Sequence, residues 1–320
     1  MQEISLREIS PRMNKGFPVL HKKGIVSPNG EMTPFVFNGK LYRLESVDKY
    51  HCAKPNETRH LSHAIIREVE SGKVISKLGV GHYFFDAFVD NGKVYVLATL
   101  NNSIYGWFGG DTVVIFESTD LINWEDRVLI HKKGWLFFNH SVTKDENGYI
   151  ITVEIGKPDE LVGAKPFTFI FARSKDLINV EFMDFKKTAY PMDRYAGGSK
   201  IYYCNGWCYH LTMVEMPGAV YCLYITRTQD FENYQFGKYN PFIIITNDDM
   251  RVAENAADIT EEMRAVIPHG YYCSPSDIDF CEFNGKTIIN YIVGNQLGFA
   301  FMAEAEYDGT PQEMLENFFD

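Results

Sequence analysis

The sequence of 320 residues contains few cysteines, no long apolar run and no excess of basic residues. Its six cysteines follow neither a disulfide nor a zinc spacing, so we expect reduced, mostly buried thiols. No stretch approaches the roughly 20 apolar residues that a membrane-spanning helix needs. The first residues lack the apolar core of a signal peptide. This predicts a cytoplasmic protein for the chain as given, or a periplasmic or secreted one if a leader has been removed.

The charge balance is acidic, with 31 basic and 42 acidic side chains and a formal net charge of -11. Such a surface repels the phosphates of nucleic acids, so we expect no nucleic-acid partner. Apolar residues make up 45% of the chain, which is typical of a globular protein. A chain of this length can bury an extensive core without disulfides or metal ions.

A hairpin unit recurs five times along the chain. Each copy is an apolar strand, an Asn-Gly or Gly turn and an aromatic-rich strand, which is the strongest short-range signal for a β-hairpin. The copies are PFVFNGKLYRLES (34–46), AFVDNGKVYVLAT (87–99), SVTKDENGYIITVEI (141–155), KIYYCNGWCYHLTMVE (200–215) and DFCEFNGKTIINYIV (279–293). Their turn glycines, 53 to 79 residues apart, are Gly39, Gly92, Gly148, Gly206 and Gly285.

A Ser/Thr-x-Asp turn repeats with nearly the same period. It occurs between two strands in ESTDLINWE (117–125), ARSKDLINVE (172–181) and TRTQDFENYQ (226–235). Each unit therefore supplies four strands, two in the hairpin and one on each side of this turn. Five such units predict an all-β fold, a single five-bladed β-propeller of antiparallel blades over residues 1–320. A β-sandwich, the alternative, does not explain why two independent motifs share one period.

Two departures from the repeat concern the insertion before the fifth unit and the N-terminus. Asp258 and Glu261 have capping-box spacing, which predicts a helix over 258–267 within an insertion at about 247–268. Strand residues within 11–26 are expected to complete the last blade and close the ring, which removes the open sheet edges.

The C-terminus predicts a further helix at about 311–319. Thr310 and Glu313 have the spacing of a cap, and Pro311 lies in the first turn, where a missing N–H is tolerated.

Acidic residues recur at equivalent places in the repeats. In a propeller the innermost strand of each blade lines the central channel and the second strand runs back. The start of the first strand and the end of the second therefore share one rim. Counted from the turn glycines, strand starts carry Glu31, Asp86, Asp277 and Asp279, and second-strand ends carry Glu45, Glu154 and Glu215.

Several of these carboxylates lie within apolar strings such as HYFFDAF and YIITVEIG. Burial of a carboxylate there is costly unless the group is paired, hydrogen-bonded or functional. A group of them on one rim, without lysines beside them, indicates a polar active pocket. Two carboxylates across a sugar are what cleavage of a glycosidic bond needs, one as a protonated acid and one as a base or nucleophile. Burial and mutual repulsion would raise one pKa into the range of the acid.

The five repeats, the Ser-x-Asp-Leu-x-Asn-Trp turn and the channel carboxylates resemble the five-bladed propeller glycoside hydrolases. These are typified by glycoside hydrolase family 43 and its fructosidase-like relatives, and the resemblance covers nearly all of the chain. It implies three acidic residues at the channel mouth. Glu31 matches the base or nucleophile and Asp86 the orienting carboxylate. At the place of the acid the chain has Asn139 and His140 instead.

This departure suggests a divergent member of the superfamily. The acid is then expected from Glu154 or Glu215. Asp277, beside Glu31, has no counterpart in the usual trio and could supply the other half of the catalytic pair. Asp86 or Asp279 would set the pKa and the orientation of the others.

Further side chains on the rim are expected to bind the sugar. Trp107 could stack on a sugar ring. Arg194 suits a carboxylate or hydroxyl groups, unless it pairs with Asp193. His140 could bind the sugar or ligate a channel calcium ion, as in some family 43 enzymes, or make ordinary hydrogen bonds. The predicted substrate-binding residues are Glu45, Trp107, Asn139, His140, Arg194, Tyr195 and Gln296.

These assignments predict a glycoside hydrolase that acts on an oligosaccharide with a furanose or an acidic sugar. No cofactor is predicted apart from that calcium ion. One alternative is a phosphate-dependent phosphorylase, for which Arg194, Lys200 and the histidines would bind the phosphate. Another is a non-catalytic glycan-binding propeller, which the missing acid at the usual position favours.

Overall fold

Each predicted hairpin forms in the computed structural model, which describes residues 18–47, 61–163, 167–218, 220–296 and 299–319. In four hairpins the turn is Asn-Gly with both residues at positive φ, as in Asn38 at 49° and Gly39 at 75°. This conformation matches the twist of the strands that it joins. The third hairpin differs, because Asp145 pairs with Gly148 and the turn is therefore residues 146–147. The prediction that Gly148 is a turn residue is wrong by one position.

The strands fall into four sets according to their place in a blade. The innermost strands are β2 (Gly30–Phe37), β6 (His82–Asp90), β10 (Leu136–Asp145), β14 (Ala196–Cys204) and β18 (Ser274–Phe283). The second strands are β3 (Lys40–Val47), β7 (Lys93–Leu100), β11 (Gly148–Lys157), β15 (Trp207–Met216) and β19 (Lys286–Gly294). The third strands are β4 (His63–Glu68), β8 (Thr112–Ser118), β12 (Thr168–Ser174), β16 (Val220–Thr228) and β20 (Ala300–Tyr307). The outermost strands are β5 (Val74–Leu78), β9 (Glu125–His131), β13 (Glu181–Phe182), β17 (Gln235–Phe236) and β1 (His21–Ser27).

The five blades form a closed ring around a channel. Each is a four-stranded sheet of antiparallel pairs, and the innermost strands contact one another in order from β2 through β18 and back to β2. The fifth blade takes its outermost strand from the N-terminus, where β1 pairs with β20. The predicted five-bladed propeller and its closure are confirmed. The part of the predicted closing segment before residue 18 lies outside the described residues.

The Ser/Thr-x-Asp turns join the third and fourth strands of blades two, three and four, as predicted. In the first of them Ser118 Oγ accepts the N–H of Leu121 at 2.9 Å. Asp120 Oδ1 accepts the N–H groups of Ile122 and Asn123, each at 2.8 Å. The motif recurs because these side chains satisfy the backbone of a tight turn while Leu121 remains buried.

In the part of the chain that the structure describes, three short α-helices accompany the sheets: α1 (Phe185–Thr188), α2 (Glu261–Val266) and α3 (Pro311–Asn317). The N-cap of α3 is Thr310 with Glu313 in a capping box, as predicted. The predicted cap of α2 is wrong. Thr260 caps that helix by accepting the N–H of Met263, whereas Asp258 binds Arg67.

Apolar side chains fill the space between neighbouring sheets, and the largest buried cluster joins blades four and five with α3. The five cysteines within the described residues are free, as expected, and Cys52 lies outside them. None of the helices in the described part of the chain is long and apolar enough to cross a membrane.

Candidate active site

Each innermost strand contains a β-bulge near its start, and the five bulges surround one end of the channel. In β2, Gly30 pairs with Ser46 and Met32 with Glu45, which leaves Glu31 as the extra residue. The other breaks in register lie between Tyr83 and Asp86, Phe137 and His140, Gly197 and Ser199, and Ser276 and Asp279. A bulge bends its strand and redirects a side chain, and bulges are frequent beside active sites.

Two of the predicted carboxylates occupy left-handed backbone positions at these bulges. Glu31 has a φ of 38° and Asp277 a φ of 47°. For a residue other than glycine this conformation costs roughly 1–3 kcal/mol, and such positions cluster at functional sites.

The bulges bring four of the predicted carboxylates into one pocket at the channel mouth. Asn139 and His140 line it as well, so blade three contributes polar groups at the position where the acid was missing. The lining residues are Glu31, Met32, Thr33, Phe85, Asp86, Asn139, His140, Ser199, Asp277, Ile278 and Asp279.

Glu154 adjoins this pocket through Asn139. Asn139 Nδ2 donates to Glu154 Oε2 at 3.0 Å and lies 3.2 Å from Asp277 Oδ1. The backbone N–H of Gly198 donates to the same Glu154 oxygen at 2.9 Å. Burial raises the pKa of Glu154 to about 8, the hydrogen bond from Asn139 opposes this, and the negative charge of Asp277 adds to it. Glu154 is therefore a carboxylic acid that keeps its proton at neutral pH.

Two of the lining carboxylates, Asp86 and Asp279, belong to a buried ion cluster that takes one residue from each of three blades. Lys200 Nζ lies 2.7 Å from Asp279 Oδ1 and 3.6 Å from Asp86 Oδ1. Burial raises the pKa of Asp86 well above its usual range; the Lys200 charge opposes this shift and Asp279 adds to it. Burial alone would lower the pKa of Lys200, but Asp279 and Asp86 outweigh it and raise that pKa. The two carboxylates thus share one ammonium group and hold it ionised.

Several buried polar atoms around the pocket have no hydrogen-bond partner among the described residues. They include both ring nitrogens of His140, Ser199 Oγ and Asp86 Oδ2. Burial lowers the pKa of His140 to about 3, so its imidazole is neutral. Buried polar groups in native proteins nearly always have partners. These atoms are therefore suited to hydrogen-bond the hydroxyl groups of a ligand.

Glu45 lies apart from the pocket. It is fully buried and bonded to Arg67 Nε at 2.7 Å, Asn29 Nδ2 at 2.7 Å and Ser27 Oγ at 3.1 Å. Its predicted substrate-binding role is replaced by a structural one. Glu45 and Glu154 each lie six residues after the glycine of their hairpin, but Gly39 is a turn residue whereas Gly148 already belongs to the strand. The two glutamates therefore differ by one strand position, and a shift of one residue moves a side chain to the other face of its strand. Glu45 and Glu154 are therefore not equivalent.

The remaining predicted substrate-binding residues lie outside the pocket lining. Trp107 is exposed on a loop of blade two. Arg194 pairs with Asp193 at 2.6 Å, which is the alternative that the sequence left open. Gln296 Nε2 donates to Ser274 Oγ at 2.8 Å. Tyr195 is half-buried. Glu215, the second candidate for the acid, is half-buried at the end of its strand and, like Glu154, is not among the lining residues.

Lys200, Ser199 and Gly198 have functions in the site that the sequence analysis did not assign. Lys200 was considered only as a phosphate ligand, yet it lies six residues before Gly206, the spacing that selected Asp86 and Asp279. That count would have placed its charge beside theirs. Gly198 has no such signal, because its close approach to Asp277 depends on the bulge.

The donor set does not assemble a metal site in the parts of the chain that the structure describes. There, no three His, Cys, Asp or Glu side chains come close enough together to hold a metal ion. The ammonium group of Lys200 lies between the two channel aspartates instead.

The fold is similar to solved structures of glycoside hydrolases. A protein solved in a complex with RGII has a TM-score of 0.62 at 11% identity, over 95% of this sequence and 96% of that protein. A thermostable family 43 glycoside hydrolase has a TM-score of 0.56 at 9% identity, over 90% and 89%. A Bacillus subtilis arabinanase has a TM-score of 0.53 at 10% identity, over 90% and 96%.

At the level of sequence, no protein-family model and no curated protein matches the chain. Similarity at identities of about 10% establishes the fold. The resemblance to the family 43 propellers is therefore confirmed at that level. The fold and the pocket together define a five-bladed propeller with an acidic site at the mouth of its channel.

Proposed function

We propose that the chain hydrolyses a glycosidic bond in an oligosaccharide, with Glu154 as the general acid. One observation carries this proposal: the buried carboxyl group of Glu154 shares Asn139 with Asp277 of a pocket lined by four carboxylates. Burial raises the pKa of Glu154 to about 8. A group that is protonated at neutral pH can give its proton to the leaving oxygen, and glycosidases use such a raised pKa for that purpose.

The base or nucleophile is Glu31 or Asp277, both of which line the pocket. Glu154 Oε2 and Asp277 Oδ1 lie at 3.0 and 3.2 Å from the same nitrogen of Asn139, so they are at most about 6.2 Å apart. Glu154 protonates the glycosidic oxygen as its bond to the anomeric carbon breaks. The opposite carboxylate takes a proton from the attacking water or attacks the anomeric carbon itself.

The ion cluster of Asp86, Lys200 and Asp279 has a supporting role. Its single ammonium group compensates the charge of two aspartates that line the pocket.

The test uses the amide variants E154Q, E31Q and D277N on a panel of aryl glycosides and plant oligosaccharides. E154Q is expected to lose at least about 100-fold in turnover of oligosaccharides and far less on dinitrophenyl glycosides, whose leaving group needs no proton. Loss of the base or nucleophile, in E31Q or D277N, is expected to lower the turnover of both kinds of substrate. E125Q is the matched control, because Glu125 is exposed on the outermost strand β9, and its turnover is expected to stay within about 3-fold of wild type. If none of the three amide variants lowers turnover by about 100-fold, acid–base catalysis at this site is wrong.

The phosphorylase alternative needs cations that are free to bind phosphate. The cations that would bind phosphate, Arg194 and Lys200, are both engaged by aspartates. We therefore propose that water is the acceptor and that cleavage proceeds at the same rate in phosphate-free buffer. Cleavage that requires inorganic phosphate would identify a phosphorylase instead.

We also propose that the reaction needs no calcium ion, because Lys200 supplies the positive charge between the channel aspartates. Dialysis against a chelator is expected to leave turnover unchanged. Activity that is lost on chelation and restored by calcium would contradict this.

A further inference from the structure

A row of three aromatic rings lies on the rim, in which Trp107 is exposed and Phe167 and Tyr195 are half-buried. The indole of Trp107 meets Phe167 with 6.2 Å between centroids at 79°, an edge contact that leaves a face of the indole uncovered. Phe167 in turn lies 5.7 Å from the ring of Tyr195. Trp107 is 52% exposed, although large aromatic residues are usually buried.

Tyr195 connects this row to the carboxylates of the site. Burial raises the pKa of Tyr195, and the negative charges of Glu154, Asp277 and Glu215 raise it further. The backbone places the row there as well, because the N–H of Glu215 donates to the carbonyl oxygen of Tyr195 at 2.9 Å. A Cβ at Gly156, two residues after Glu154 on the same strand, would lie 3.2 Å from the ring of Phe167. Within the described ranges the Tyr195 hydroxyl has no hydrogen bond, so it is available to a ligand.

The loop that carries Trp107 is held in place over blade three. Tyr105 Oη donates to the carbonyl oxygen of Gly134 at 2.7 Å, and Ser103 N–H donates to the carbonyl of Gly109 at 3.0 Å. Lys157, at the end of the strand that carries Glu154, lies over the ring of Tyr105 at 5.6 Å. A surface fixed in this way binds without a large ordering penalty.

The position of the row relative to Glu154 decides which part of a substrate it meets. A general acid must lie within hydrogen-bond reach of the leaving oxygen. Because the ring of Phe167 lies beside Gly156 on the strand that carries Glu154, a sugar attached to that oxygen can reach the row of Tyr195, Phe167 and Trp107. The apolar face of a pyranose or furanose ring suits an exposed aromatic face, and the Tyr195 hydroxyl suits a sugar hydroxyl.

From this arrangement we infer that Trp107, Phe167 and Tyr195 form a binding site for the leaving-group sugar of an oligosaccharide. The inference rests on the proposed function, since it takes Glu154 as the acid. It goes further by assigning the substrate a second sugar ring with an exposed apolar face. A glycoside with a small aryl leaving group would not use Trp107.

The experiment compares wild type, W107A and the control F236A on an aryl glycoside and on oligosaccharides of two to six units of the same sugar. Phe236 is 57% exposed on an outermost strand, so F236A removes a similar apolar area far from the row. W107A is expected to raise KM for the oligosaccharides about 10-fold with kcat nearly unchanged, and to leave the aryl glycoside within about 2-fold. F236A should change neither. An equal effect of W107A on both substrates, or on neither, overturns the inference while the proposed function stands.

Binding measurements separate the inference from the proposed function. Calorimetry on E154Q with arabino-, xylo- and galacturono-oligosaccharides is expected to show binding that the second substitution W107A weakens about 10-fold. If wild type cleaves nothing but this binding is found, the aromatic site stands and the hydrolase proposal fails. If E154Q binds none of these oligosaccharides and wild-type rates do not depend on chain length, the aromatic site is wrong.

Discussion

Glu45 and Glu154 show how the neighbours of a single residue decide the role of a buried carboxyl group. Both side chains are almost fully buried near the end of a second strand. Glu45 has a guanidinium group at 2.7 Å, which compensates its charge and makes it a structural ion pair. Glu154 instead has amide donors and a nearby aspartate. It therefore avoids the cost of a buried charge by keeping its proton, which makes it a proton donor.

Replacement of Asn139 by alanine tests this account. In wild type, kcat/KM for an oligosaccharide is expected to fall as the pH rises through about 8, because Glu154 then loses its proton. The hydrogen bond from Asn139 favours the ionised form, so its loss raises the pKa of Glu154 further and moves this alkaline limb to higher pH. The measurement is the pH profile of kcat/KM, and E154Q should lack the limb. A limb at unchanged or lower pH in N139A would show that Asn139 does not act on Glu154.

At the scale of the element, the five bulges build the pocket. Regular strands would send alternate side chains to opposite faces. One extra residue in each innermost strand instead turns Glu31, Asn139 and Asp277 into the mouth of the channel. Blade four has Gly198 at the equivalent bulge, and this glycine makes room for Asp277 of the next blade.

A comparison of G198A with G39A tests the role of this close approach. Both glycines have positive φ, 49° and 75°, so each alanine is expected to lower the free energy of unfolding by about 1–2 kcal/mol. A Cβ at Gly198 would lie 2.3 Å from Asp277 Oδ1, whereas one at Gly39 meets nothing within 4 Å. Asp277 must therefore move in G198A, which is expected to lose about 100-fold in kcat. G39A should keep its activity. Denaturant unfolding measures the loss of stability, and turnover is measured on the same preparations. Full activity in G198A would contradict the role given to Asp277.

At the scale of the whole molecule, the ring is closed by contacts between residues far apart in sequence. Arg43 in the first blade donates to Glu304 in the fifth at 2.6 Å, and both are buried. Lys22 in the closing strand meets Asp249 of the insertion before the fifth innermost strand. These pairs connect the two ends of the chain, so the carboxylates of all blades stay in register around one channel.

The variant R43M measures how much this closure contributes. It leaves Glu304 buried without its cation, so the free energy of unfolding is expected to fall by about 3–5 kcal/mol. R251M is the matched control, because Arg251 pairs with Asp248 at 3.2 Å and the two side chains are 59% and 61% exposed. That loss is expected to stay below about 1 kcal/mol. If both variants lower the free energy of unfolding equally in denaturant unfolding, the pair between the blades stabilises the fold no more than an exposed pair does.

The sequence by itself determined the number of blades, the order of the strands, the closing of the ring and the rim on which the acids gather. These features follow from local signals, because Asn-Gly turns, Ser/Thr-x-Asp turns and alternating apolar residues act over a few neighbours and repeat with one period. Four of the acids, Glu31, Asp86, Asp277 and Asp279, were placed in the pocket by that count, and the structure brings them together there.

Only the tertiary structure decided which acids can react. The bulges, the displaced third turn, the pairing of Glu45 with Arg67 and the ammonium group of Lys200 between two aspartates join residues from different strands or blades. The pKa of a buried carboxyl group depends on charges and hydrogen bonds within a few ångströms in space, whatever their separation along the chain. For that reason Glu154 emerges as the proton donor only when Asn139, Gly198 and Asp277 surround it.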